Sequence, residues 1–544
     1  MSRIHFEKRR DFIKGASCLV ASGAVSSFVP QLSLMGTALA QSTAGYKALV
    51  CVYLDGGNDS WNVVIPADVA RHNEYVSARG GLFQSTGASA LAIPLVGGGG
   101  SLLPNALPLN PVVPNPDGRM YALNPAVPGL QTLFNNRRLS FVANVGPLVV
   151  PLRKSTFNTY ARPPQLYSHN DQTSLWQIGT GNSSTNPNGW GGMVAGRLLG
   201  TPPASGLPPC ISIAGQTRFL VGEYQPSGAA VFPYRLSSTG TSPAASLTNY
   251  NDGDPAGGKR REILQSLVDL NYPQPMSREY GKILDRSMNL SINLNAAIVD
   301  LNTSALPGMS AFINAVTNFP STGLGNQLRQ VARMIAVSRF GSGALPANRQ
   351  IFFVRTGGYD THDGQIPNTL LTAGHQGLIG QVSQALAAFD GAMTLLNNVQ
   401  GYTGVVNEVV SFTMSEFSRT INSNGNGTDH AWGAIQMVMG APAGAGGPLN
   451  GGQMLGRYPW QVLGRTYPGG PMGMPDSGGE CFNRGEFLPT TAVDQMAATC
   501  ARWMGVSNTD LPALFPNIDN FVNPHPNAAV MAQNTRTVPF LNFT

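Results

Sequence analysis

Charge is scarce in this sequence, and what there is nearly cancels. Only 11% of the 544 residues are charged. The first forty residues hold 5 of the 34 Lys and Arg and 2 of the 28 Asp and Glu, so the remainder carries a net charge of +3. That balance argues against nucleic acid or an anionic membrane surface as partner. Beyond residue 40 no run of about 18 apolar residues occurs, which argues against a stable membrane anchor. There is no G-x-S-x-G string, so a Ser-His-Asp hydrolase is disfavoured, and no internal repeat stands out. Gly and Pro, by contrast, number 64 and 41. That composition excludes a helical bundle and indicates a loop-rich chain.

The amino terminus reads as a removed targeting segment. Lys8-Arg9-Arg10-Asp11-Phe12-Ile13-Lys14 is a basic block with paired arginines, and a mildly apolar stretch follows from Gly15 to about Val29. Ala38-Leu39-Ala40 supplies the small-x-small pattern of a signal-peptidase site. The paired arginines predict export by the twin-arginine translocase, with residues 1–40 removed and the mature chain in the periplasm or outside the cell. Residues 41–544 are expected to form one α/β domain. Four cysteines remain after cleavage: Cys51, Cys210, Cys481 and Cys500. In an oxidising compartment Cys481 and Cys500 are the expected disulfide, while Cys51 sits in an apolar run suited to a buried thiol.

Short apolar runs mark the strands. Lys47 to Leu54 opens into Asp55-Gly56-Gly57-Asn58-Asp59-Ser60. Leu139 to Val145, Gln350 to Arg355, Val405 to Met414 and Ile435 to Met439 are further strands, with shorter pieces such as Cys210 to Ala214. Helical spacing runs over Arg261 to Leu301, Leu324 to Arg339, Leu378 to Leu396 and Thr491 to Met504. Strands alternating with helices predict a doubly wound, mostly parallel sheet, with ligands at the carboxyl ends of its strands. Gly- and Pro-rich stretches near 80–118 and 182–258 read as loop insertions.

Chemistry-bearing residues collect in five short clusters: Asp55 with Asp59, Ser168-His169-Asn170-Asp171, Asp360-Thr361-His362-Asp363, Glu416 with Arg419, and Asp429-His430. Carboxylates at neighbouring strand ends repel unless cations lie between them. The clusters therefore predict one or two divalent metals, with Zn, Mn, Mg or Ca as candidates. Asp55, Asp360, His362, Glu416 and His430 are the expected ligands, with Asp59, His169 and Asp429 as further candidates. Taken singly, each acid can equally cap a helix or tighten a turn. Ser168 precedes a likely helix from Asp171 to Gln177, where it is either an activated nucleophile or only an N-cap.

Six strings also carry a resemblance: LVCVYLDGGNDSWN, SHNDQTSLWQIG, GGYDTH, SEFSRT, GTDHAWG and PTTAVDQMAATCARWMGV. Together they resemble the secreted bacterial family called domain of unknown function 1501, grouped with alkaline phosphatases and sulfatases. The resemblance implies a sheet of that type with metal at its carboxyl edge. It also implies a phosphate- or sulfate-ester hydrolase acting on an anionic ester. Asp55 resembles the first-strand aspartate, Ser168 the nucleophile that opens a helix, and Asp360 with His362 a metal pair. Glu416 stands where a second-metal acid ends its strand, and His430 resembles a late histidine ligand. Phe417 stands where an imidazole usually follows, and Arg419 is placed to contact an anion. Two other functions fit the same residues: a non-catalytic envelope protein that binds through its loops, and a phosphotransferase on the same fold.

Overall fold

The computed structural model describes residues 45–543, apart from 85–88, 97–100, 116–117, 183–185, 204–206, 239–254, 271–272, 341–346, 467–478 and 523–524. The expected export signal at 1–40 lies outside the described residues.

Nine strands form the main sheet: β1 Lys47–Asp55, β2 Leu139–Gly146, β3 Cys210–Ser212, β4 Tyr234–Arg235, β5 Arg349–Gly357, β6 Val409–Met414, β7 Ala434–Gly440, β8 Met454–Gly456 and β9 Thr491–Ala492. Their order is β8-β2-β7-β6-β1-β5-β3-β4, with β9 also paired to β2. Every pairing is parallel except the two made by β7, which runs against both β6 and β2. The sheet is thus mixed, with a parallel majority. Among the described residues the helices of eight residues or more are α1 Val69–Ala78, α2 Pro128–Asn135, α3 His169–Ile178, α4 Trp190–Leu199, α5 Pro255–Val268, α6 Pro275–Thr303, α7 Met309–Thr317, α8 Gly323–Phe340, α9 Gly374–Asn397 and α10 Val493–Met504. Among the described residues no helix is long and apolar enough to cross a membrane.

The unbroken apolar run of β1 follows from burial on both faces. Side chains alternate across a strand. Ala48, Val50, Val52 and Leu54 enter one core with Val331 and Ile335 of α8 and Leu386 of α9. Leu49, Cys51 and Tyr53 enter the other with Val194 of α4 and Met496 of α10.

Several expectations are corrected. Val405–Glu408 is a 3-10 turn that leads into β6, not part of the strand. The helical stretch from Arg261 is split into α5 and α6, with Pro273 between them. Among the described residues near 182–258, α4 covers one sheet face, and β3 and β4 extend the sheet. Residues near 80–118 build a small core of their own, in which Phe83, Ile93 and Leu103 pack on Ile65 and Tyr75. The Cys481–Cys500 disulfide is absent, and all four described cysteines are free and buried. Cys481 lies in the first core and Cys500 in the second, so the sheet separates them.

Candidate metal centre

Sheet polarity explains where the clusters meet. β5 ends at Gly357 and β6 at Met414, so Asp360, His362 and Glu416 emerge at one edge. β7 runs the other way, so its amino end lies at that same edge, and His430 is delivered there just before the strand begins. His169 arrives as the first residue of α3.

Three side chains converge most closely. His169, Asp360 and His430 offer ligand atoms that all lie within 4.8 Å of one another, the one such group among the described residues. The Nε2 atoms of His169 and His430 are 3.0 Å apart. Asp360 Oδ1 lies 3.2 Å from His430 Nε2, and Oδ2 lies 3.5 Å from His169 Nε2. His362 joins alongside, with its Nε2 2.9 Å from that of His430 and 3.1 Å from Asp360 Oδ1.

The other ring nitrogen of each histidine is held by an acceptor. His169 Nδ1 donates to Glu416 Oε1 at 2.7 Å, His362 Nδ1 to Asp429 Oδ1 at 2.8 Å, and His430 Nδ1 to the Tyr167 carbonyl at 2.7 Å. These partners place the proton of each neutral ring on Nδ1 and leave Nε2 as a bare lone pair. When all three rings are neutral, three lone pairs and a carboxylate face each other at hydrogen-bond distance. Such a set repels itself unless a cation enters it. Burial, the largest influence on both, lowers the His362 and His430 pKa values and keeps those rings neutral. The bond to Glu416 is the main reason that the His169 pKa is raised. Burial pushes Asp360 up, but Arg419 and the adjacent histidines carry it below the usual carboxylate range. Imidazole nitrogen with one carboxylate suits zinc, manganese or iron better than magnesium or calcium, which prefer all-oxygen sets.

The centre is open to solvent. Side-chain exposure is 33% at His169, 47% at Asp360, 44% at His362 and 23% at His430. Were a metal held here, three close donors beside an accessible face would suit a reactive site rather than a closed structural one.

The remaining candidates sit elsewhere. Asp55 is turned to an ion pair with Arg355 of the neighbouring strand. Glu416 is fully buried behind the ligands. Besides His169 it accepts from Gly56 N at 2.8 Å and Tyr53 Oη at 3.1 Å, so it lies outside the close group and orients the His169 ring. Asp429 plays the same part for His362 and is paired with Arg484. Asp59 is buried with Arg79 at 2.7 Å and accepts from Gln365 at 2.6 Å, an internal pair away from the histidines. Arg419 was expected to meet an anion, but its side chain is fully buried. It donates to Asp360 Oδ1 at 2.7 Å and to the carbonyls of Gly56 and Thr428, and so it positions Asp360. Phe417 packs its ring 4.8 Å from His169 and 4.7 Å from His430, an apolar wall beside both rings.

Ser168 is the N-cap residue of α3, but its hydroxyl makes no capping bond. Oγ donates instead to Asp171 Oδ2 at 2.8 Å, a hydroxyl and a proton acceptor in direct contact.

No curated protein matches the chain. A family model does, over residues 226–464, a span that holds Asp360, His362, Glu416, Arg419, Asp429 and His430 but not Ser168 or His169. Over that span, and with the motifs GGYDTH, SEFSRT and GTDHAWG inside it, the chain is similar to the family described as Protein of unknown function (DUF1501).

Proposed function

We propose that this chain is an exported, metal-dependent hydrolase of phosphate or sulfate esters, built on a sheet of the alkaline phosphatase and sulfatase type. One observation carries the reading: His169, Asp360 and His430, with His362 beside them, form a solvent-open set of acceptors whose outer nitrogens are each fixed. One divalent ion fits that donor set. When bound, it supplies Lewis acidity toward an ester oxygen and stabilises negative charge on a nearby hydroxyl.

The chain's own groups supply the rest. Asp171 takes the proton of Ser168 Oγ across the existing 2.8 Å contact. The serine oxygen bonds to the phosphorus or sulfur as the bond to the ester alcohol breaks, and the alcohol leaves with its electron pair. Water then cleaves the seryl ester, releasing phosphate or sulfate and restoring the serine proton. The amino end of α3, ten residues long, presents backbone N–H groups and the positive end of its dipole to the transferred group. Arg419 holds Asp360 in place, and Phe417 keeps one side of the centre dry.

Two measurements test this. Protein expressed in metal-replete medium should hold about one equivalent of a transition metal by elemental analysis, and less than about a tenth of an equivalent sinks the reading. Ser168→Ala should lower turnover of aryl phosphates or aryl sulfates by about a hundredfold or more. Unchanged turnover removes Ser168 as the nucleophile.

A further inference from the structure

The segment that leads into α3 borders a groove of about 610 Å³, whose lining includes Phe157, Tyr160, Arg162, Pro164, Gln165 and Tyr167. That volume lies within the range of small-molecule sites. The groove adjoins the metal centre through one residue: Tyr167 lines it, and the Tyr167 carbonyl accepts from His430 Nδ1 at 2.7 Å.

The backbone here is held in a costly shape. Gln165 and Tyr167, neither of them glycine, have φ of 47° and 71°. Non-glycine residues in that region persist only where their surroundings impose it. The imposing contacts are visible. Gln172 Nε2 of α3 donates to the carbonyls of Pro164 and Gln165 at 3.0 and 3.1 Å, and the Ser168 N–H donates to the Gln165 carbonyl at 3.1 Å. The groove wall is therefore fastened to the helix that bears His169 and to the ligand His430.

The lining combines ring faces with one cation. The Arg162 guanidinium lies 4.4 Å from the Phe157 ring centre and donates to the Asn158 side chain at 3.4 Å. No described carboxylate lies within ion-pair reach of it. An exposed guanidinium stacked on one ring, beside a second ring, recognises a flat group carrying a negative charge.

We infer that this groove binds the alcohol part of the substrate, and that this part is a ring bearing a second anionic group held by Arg162. The inference rests on the hydrolase reading for the word substrate but on the groove alone for the ligand chemistry.

The test uses 4-hydroxybenzoate, a ring alcohol with a carboxylate, and phenol as its uncharged counterpart. Each is titrated calorimetrically into the full-length mature protein. The carboxylate compound should bind at least about tenfold more tightly. Arg162→Gln should abolish that difference, and Arg162→Lys should retain part of it. Equal binding of the two compounds overturns the inference, as does a difference that survives in Arg162→Gln. The titration is repeated after chelation of bound metal. Binding that vanishes on chelation also overturns it, since the carboxylate then sits on the metal. Selective binding without any ester turnover would remove the hydrolase reading and leave the groove intact.

Discussion

Glu416 illustrates how much of the centre depends on groups that never face it. Its carboxylate takes one bond from His169, one from Gly56 and one from Tyr53, whose hydroxyl in turn meets Thr173 Oγ1 at 2.6 Å. A neutral amide there keeps the shape but presents a less basic imidazole to a cation. Glu416→Gln should weaken zinc affinity by about 10–100-fold, measured by competition with a chromophoric chelator. An unchanged affinity would show that His169 is not a ligand. At this scale the sequence was informative about residue type and uneven about role. Asp360, His362 and His430 were legible because each stands in a short polar cluster beside a strand. Asp55 has the same signature and the opposite fate. In the parallel register Tyr53 faces Arg355 and Asp55 faces Gly357, so Arg355 lies one step behind the acid on its own edge. Register between distant strands leaves no mark in the linear pattern, and neither does the turn that aims His169 inward.

Among the elements, strands buried on both faces were the most legible, because continuous apolar runs such as Ala48 to Leu54 have few other places to go. Short edge strands such as β4 and β8 were not, since two or three residues carry no period. The direction of β7 was also hidden: its apolar run reads the same whichever way it lies. What joins these elements at the centre is close backbone packing. Gly56 has φ 118°, and a Cβ there would lie 2.5 Å from Asp360 N and 2.9 Å from Tyr359 N. Both neighbours are main chain, so the loop carrying Asp360 would have to shift. Gly56→Ala should therefore cost about 2–3 kcal/mol in urea unfolding, with metal affinity falling alongside. A variant as stable as the wild type would show that the two loops are less tightly coupled than the contact implies.

Across the whole molecule, stability should depend on pH through His375. This ring is fully buried at the start of α9, with Nε2 2.9 Å from Asn58 Oδ1, and burial pushes its pKa down to about 4. In the unfolded chain the ring takes a proton below about 6.5. Between those two values the unfolded state binds more protons, so stability rises with pH over that window and is lost as the pH falls through it. The loss is about 1.4 kcal/mol per pH unit, or about 3 kcal/mol in all. His375→Gln should show a visibly shallower loss between pH 6.5 and pH 4 by denaturant unfolding. Parallel curves for the two proteins would assign the acid sensitivity to other groups.

The reversal of β7 has a wider consequence. Because β6 and β7 are antiparallel neighbours, the connection between them, residues 415–433, leaves and re-enters the sheet at the same edge. That one excursion carries His430 itself, Glu416 for His169, Arg419 for Asp360 and Asp429 for His362. Three of the four clustered side chains, His169, Asp360 and His362, thus meet a partner from a single stretch of chain, which also carries the fourth, His430. Exchange of that stretch between relatives would move these partners as a unit, and the sheet beneath would not have to change to accept it.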